Sequence, residues 1–141
     1  MSRVFLDTNI FIYLIEDEGE LGKKALGLLE RLTARRDLVY TSTLTLGEVL
    51  TVPLAQGDAK LAQLYEEKLA SPGMHILDFD RAAARLYARI RLDRTIKAPD
   101  AMQLSMAAAA RCDLFVTNDD RLSRKVVEGI QFVAGLDRVP V

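Results

Sequence analysis

Histidine and cysteine are nearly missing: the 141 residues hold one of each, His75 and Cys112. One cysteine excludes an intramolecular disulfide and fits a reducing compartment, so a cytoplasmic location is expected. One histidine excludes catalysis by a histidine pair within the chain. A Ser-His-Asp triad would have to use His75, which stands in the strand-like run Met74-His75-Ile76-Leu77 with no nucleophile-elbow motif beside it. Neither GxxxxGK[ST] nor a GxGxxG after the first strand-like run is present, which leaves P-loop and dinucleotide sites unsupported. Long apolar runs are also absent. Ile10 to Ile15, the longest near the start, is far too short to span a bilayer. No charged-then-apolar leader precedes the first strand-like run, so neither a signal peptide nor a membrane partner is expected. An excess of one charge is lacking as well. With 19 Lys and Arg against 20 Asp and Glu, the formal net charge is −1. That argues against a protein that coats nucleic acid electrostatically but leaves room for a local basic patch.

What is present is an ordinary globular composition, 50% hydrophobic and 28% charged, at a length typical of one domain. Residues 1–141 are expected to form one domain. Val4-Phe5-Leu6 is a short apolar run ending in Asp7, as a buried strand would be. Asn9 is placed to cap a helix from about Ile10 to Glu16. Leu21 to Arg35 carries apolar residues at helical spacing. Leu38-Val39-Tyr40 is expected as the second strand, followed by Thr41-Ser42-Thr43 as polar punctuation and a helix containing Glu48 that Pro53 ends or bends. Further helices are expected over Asp58–Ala70, Asp80–Asp93 and, opened by Pro99, up to about Arg111. Strands are expected at Met74–Leu77 and Leu114–Val116. A short helix around Leu122–Val126 and a strand around Ile130–Val133 complete the pattern. Strands alternating with helices imply an α/β fold, a three-layer α/β/α sandwich around a parallel sheet.

In an open parallel sheet, ligands bind beyond the carboxyl ends of the strands. Asp7 follows the first strand and Asp119 the fourth, while Glu48 and Asp100 lie near helix starts. Each has a structural alternative. Asp7-Thr8-Asn9 could be a capping turn. Thr45 to Glu48 fits a capping box. Asp100 could complement a helix dipole, and Asp119-Asp120 could be a solvated loop. All four at these ends of the elements favour a common site. Two carboxylates ~4 Å apart repel by roughly 4 kcal/mol at an effective dielectric near 20. A converged set must therefore take up protons or a divalent cation. Oxygen donors without a His or Cys cluster point to magnesium or manganese. Such a site has the makings of phosphodiester hydrolysis. An aspartyl-phosphate phosphatase typically carries a second Asp two residues after its nucleophile, where this chain has Asn9.

These pieces together resemble the PIN domain, and in particular VapC-type toxins of toxin–antitoxin pairs. The matching residues are Phe5-Leu6-Asp7-Thr8-Asn9, Glu48 within Leu46-Gly47-Glu48-Val49, Pro99-Asp100-Ala101 before an alanine-rich helix, and Leu114 through Asp119. The resemblance implies a sheet of strand order 3-2-1-4-5 and a Mg2+- or Mn2+-dependent endoribonuclease. It implies that Asp7, Asp100 and Asp119 hold metal and that Glu48 is a ligand or orients the attacking water. Thr8, Asn9 and Thr117 would support them by hydrogen bonds, with Asp120 an additional candidate ligand. An antitoxin partner and a homodimer are implied as well, the antitoxin lying on apolar helices around Phe11, Leu14, Leu50 and Leu54. The alternative is a non-catalytic RNA- or protein-binding module of the same fold.

Arg81, Arg85 and Arg89 repeat every four residues, and Arg91, Arg94 and Lys97 follow before Asp100. This basic stretch is either a solvated face or a rim that steers RNA phosphates. Arg121, Arg124 and Lys125 form a second such group near Asp119. Tyr13, Tyr65 and Tyr87 stand at helical spacing and suit core or interface better than base stacking.

Overall fold

A computed structural model of the chain describes residues 1–141. The order is β1 (Arg3–Leu6), α1 (Thr8–Glu16), α2 (Glu20–Ala34), β2 (Leu38–Ser42), α3 (Thr43–Ala55), α4 (Ala59–Leu69), β3 (Met74–Leu77), α5 (Arg81–Ile90), α6 (Ala98–Ala109), β4 (Leu114–Val116) and β5 (Phe132–Ala134). A 3-10 turn at Leu136–Arg138 follows. All strand pairs are parallel, and their order is β3-β2-β1-β4-β5. The three-layer α/β/α expectation and the 3-2-1-4-5 order both hold.

The layers follow from side-chain alternation along the strands. Val4 and Leu6 of β1 join Leu114 and Val116 of β4 in one apolar cluster with α1, α2 and α3. Phe5 and Phe115 point the other way, into a second cluster with α6. Their rings stack at 5.1 Å across the β1–β4 pair. A strand apolar on both faces belongs between two helical layers, which is why these runs show no polar alternation. None of the helices is long and apolar enough to cross a membrane.

Several ends differ from the sequence expectation. Asp7, not Asn9, caps α1: its carboxylate accepts from Thr8 N at 2.9 Å, and Asn9 lies inside the helix. Thr41 and Ser42 are not loop punctuation but the buried end of β2, and Ser42 caps α3 by accepting from Thr45 N. No capping box forms at Glu48, because the helix already begins at Thr43. Pro53 sits inside α3, which continues to Ala55. The basic helix stops at Ile90, three residues early, and the alanine-rich helix at Ala109. Leu122–Val126 is a set of turns rather than a helix. Leu122 N and Ser123 N both donate to the Asp119 carbonyl, and Lys125 N donates to Leu122 O. One turn around one carbonyl is too little to propagate a helix.

α2 packs against the end of α1 through Gly22. A Cβ there would lie 1.8 Å from the Asp17 carbonyl oxygen. Gly22→Ala is therefore expected to destabilise the protein by about 1–3 kcal/mol, the usual range for overpacking. Chemical denaturation would measure it, and an unchanged midpoint would show that α1 and α2 can separate freely.

Candidate active site

β1 and β4 are neighbours in register Leu6↔Val116, so the residues after them meet beyond the sheet. Asp7 is only 7% exposed there. One carboxylate oxygen accepts from Thr8 N and the other accepts from Thr117 Oγ1 at 2.8 Å. Thr117 in turn accepts from Asp119 N at 3.2 Å. A single threonine thus links the first acid to the fourth. Burial pushes the Asp7 carboxyl up to about 6, opposed by the Thr117 and Thr8 hydrogen bonds and assisted by the charges of Asp100 and Glu48.

Glu48 arrives from α3, and Thr8 Oγ1 donates to its Oε1 at 2.6 Å. Behind Thr8 lies a buried polar group from three other elements: Thr41 and Ser42 of β2, Thr45 of α3 and Gln103 of α6. Asp100 stands in the first turn of α6, three residues before Gln103, so both share one helix face. Its carboxyl is raised by burial, then by Asp119 and Glu48. Asp119 accepts from Arg121 N at 3.0 Å, and the Arg121 guanidinium lies 3.9 Å away.

Asp7, Glu48, Asp100 and Asp119, with Thr8, Asn9 and Gln103, line one cavity of about 200 Å³. Asp100 and Asp119 also line a larger neighbour of about 680 Å³, together with Lys97, Asp120, Arg121, Arg124 and Lys125. The result is an acidic pocket beside a channel lined by both signs of charge, with Lys97, Arg121, Arg124 and Lys125 among its residues. The donor set is entirely oxygen and fits a hard divalent cation. As the side chains stand, no three acids converge closely enough to hold one ion. Glu48 is exposed and Asp100 and Asp119 half-buried, whereas Asp7 is buried and clamped by Thr8 N and Thr117.

The remaining sequence candidates fall in different places. Asn9 Oδ1 accepts from Asn118 N at 3.4 Å, tying α1 to the turn that carries Asp119. Asp120 is exposed and faces the channel rather than the acidic pocket. Arg81, Arg85 and Arg89 line neither cavity, and Arg89 pairs with Glu128 at 3.6 Å. Lys97 does line the channel. The Lys125 ammonium is held by Asp93 Oδ2 at 3.1 Å and Thr95 Oγ1 at 2.6 Å, which makes it part of the channel wall. The Asp93 carboxyl is lowered to about 2, chiefly by the Thr95 hydroxyl and then by Lys125. Cys112 is buried, and burial pushes its thiol up to about 12, far from a nucleophile's range. His75 lies on edge strand β3 with its ring on Tyr40 at 4.8 Å. Sequence reasoning missed Gln103, Ser42 and Thr45. A glutamine one turn after Asp100, in a helix otherwise alanine-rich there, was the available signal.

Solved structures share this fold at low identity. FitAcB from Neisseria gonorrhoeae matches with a TM-score of 0.71 and 21% identity over 96% of this chain and 99% of its own. VapBC2 from Rickettsia felis, bound to a promoter DNA fragment, matches with a TM-score of 0.68 and 22% identity over 94% and 98%. VapC20 from Mycobacterium tuberculosis, a toxin that cleaves the sarcin–ricin loop, matches with a TM-score of 0.62 and 16% identity over 79% and 86%. No curated protein sequence matches at a significant level. The family model for the PIN domain matches residues 4–127, a span that contains all four acids of the pocket, and the chain belongs to that family.

Proposed function

We propose that this chain is a divalent-metal-dependent endoribonuclease, the toxin of a toxin–antitoxin pair. The observation that carries the reading is the single pocket lined by Asp7, Glu48, Asp100 and Asp119, which come from four separate parts of the chain. Asp7, Asp100 and Asp119 would hold Mg2+ or Mn2+, with Asp120 a candidate for a further ion towards the channel. When bound, the ion supplies Lewis acidity at the phosphodiester and offsets the crowded negative charge. Glu48, which accepts from Thr8, would take a proton from the attacking water or serve as a fourth ligand. Thr8 and Thr117 keep Asp7 fixed. A solved structure of similar fold, from Klebsiella pneumoniae, is a toxin–antitoxin complex, which supports an antitoxin as partner. A second copy of this chain is the other partner the reading implies.

The test is sequencing of RNA ends after brief expression of wild type beside Asp7→Asn, repeated with purified protein and magnesium. New RNA ends that depend on Asp7 and on the metal support the proposal. The absence of such ends with wild type would favour a non-catalytic binding module, a reading that the splayed acids as they stand also permit.

The channel yields a separate expectation. Lys97, Arg121 and Arg124 face it, whereas Arg81 and Arg85 do not. Arg124→Ala is expected to reduce the slope of log affinity against log salt for single-stranded RNA by about 0.7, the change for one lost phosphate contact. Arg81→Ala should leave it unchanged. Equal effects of both substitutions would move the RNA path onto α5.

A further inference from the structure

We infer that Gln103 is a positioning residue for Glu48, acting through the Thr8 hydroxyl; the inference rests on the nuclease reading of this pocket. Gln103 is 1% exposed in α6. Its Oε1 accepts from Ser42 Oγ at 2.5 Å, and its Nε2 donates to Thr45 Oγ1 at 2.8 Å and Thr8 Oγ1 at 3.2 Å.

Proton counting leaves one arrangement for this group. Thr41 Oγ1 lies 2.9 Å from both the Leu6 carbonyl oxygen and Thr45 Oγ1. A carbonyl only accepts, so the Thr41 proton goes to Leu6 and Thr45 supplies the proton between the two hydroxyls. Ser42 accepts from Thr45 N and so keeps its own proton for Gln103. Thr8 has one proton, and its 2.6 Å contact with the Glu48 carboxylate requires it. Thr8 can then only accept from Gln103. Flipping the Gln103 amide would place its oxygen against Thr8, draw that proton inward and leave two acceptors facing each other at Glu48. The buried end of β2 therefore fixes the amide, the amide fixes the hydroxyl, and the hydroxyl fixes the carboxylate. No buried side-chain polar atom is left without a partner. The position one turn after Asp100 makes α6 carry both a member of the acidic pocket and the group that orients another.

Cleavage of a short RNA in saturating magnesium tests this with wild type, Gln103→Met, Thr8→Val and the double variant, each first checked for folding by circular dichroism. Gln103→Met is expected to lower kcat about tenfold, the effect of one positioning hydrogen bond, with KM for RNA changed less than about twofold. Thr8→Val should do the same. The double variant should also lose about tenfold rather than about a hundredfold, because both changes break one chain of contacts. Thr8→Ser keeps the hydroxyl and should restore kcat to within about threefold of wild type. Should Gln103→Met not fold, Gln103→Leu is read in its place: it also removes the amide that donates to Thr8 and is apolar and smaller. Multiplicative losses in the double variant, or an unchanged kcat in Gln103→Met beside an active wild type, would overturn this inference alone. A wild type that cleaves no RNA overturns the functional reading and this inference with it.

Discussion

Asp7→Asn should lose RNA cleavage by about 10³-fold or more while making the metal-free protein harder to unfold. The two effects share one cause. The Asp7 carboxyl is buried and sits at about 6, against 3.8 for an ordinary aspartate. A rise of about two units at about 1.4 kcal/mol each means that holding this charge at neutral pH costs about 3 kcal/mol of folding free energy. Asparagine removes the charge and can still cap α1, because its carbonyl oxygen can accept from Thr8 N as the carboxylate does. It loses the hydrogen bond from Thr117, for which about 1 kcal/mol is deducted. The net gain should be about 1–2 kcal/mol, or about 3–6 °C in Tm for a chain of this size. Thermal melts in EDTA beside cleavage assays in magnesium would measure both. A variant that is both inactive and less stable would indicate that Asp7 serves mainly to hold the fold.

Magnesium should stabilise the wild type strongly at pH 7 and weakly at pH 5. For a raised acid the sign is fixed: its contribution is fully present below 3.8 and is lost as pH rises through about 6. The metal-free protein should therefore be more stable at pH 5 than at pH 7, by about 1 kcal/mol from Asp7. Asp100 is shifted in the same direction by burial and by Asp119 and Glu48. Asp93 is lowered to about 2, so its contribution is present above 3.8 and lost as pH falls towards 2, outside this window. A bound divalent ion offsets the repulsion and removes the pH slope. At about a hundred times Kd it adds about 2.7 kcal/mol. The added stability should largely vanish in Asp7→Asn. Tm measured at pH 5 and 7, with EDTA and with magnesium, checks every part. A metal-free Tm that does not fall between those pH values would sink the electrostatic account of the pocket.

Much of this architecture could be read from letters because strand placement depends on short-range pattern. Leu114–Val116 and Met74–Leu77 are apolar or β-favouring runs between turns, and they are strands over those residues. Asp7, Asp100 and Asp119 were legible for the same reason, since each follows or opens an element, whereas Glu48 lies inside α3, which begins five residues before it. The misplacements occur where one side chain does two jobs. Asp7 looked like the end of a strand and Asn9 like the cap, yet the buried Asp7 carboxylate caps the helix as well. Thr41 and Ser42 looked like a polar break because their partners, Leu6 and Gln103, are 35 and 61 residues away. The basic repeat on α5 is real but lines neither cavity, and helical periodicity alone cannot say which neighbour a face meets. Around Leu122 the local pattern favoured a helix. There Lys125 is held by Asp93 and Thr95 across the channel, and the chain stays in turns.

The central place of β1 has a consequence for synthesis. Its left neighbour, β2, follows within about forty residues, but its right neighbour, β4, pairs Val4 with Leu114. A nascent polypeptide that has emerged past residue 100 but not past residue 116 holds three of the acids and lacks both Thr117, which clamps the first, and Asp119, the last. The pocket is assembled only when residues 114–119 close against strand one, so a growing polypeptide carries Asp7, Glu48 and Asp100 as unjoined acids until that segment arrives.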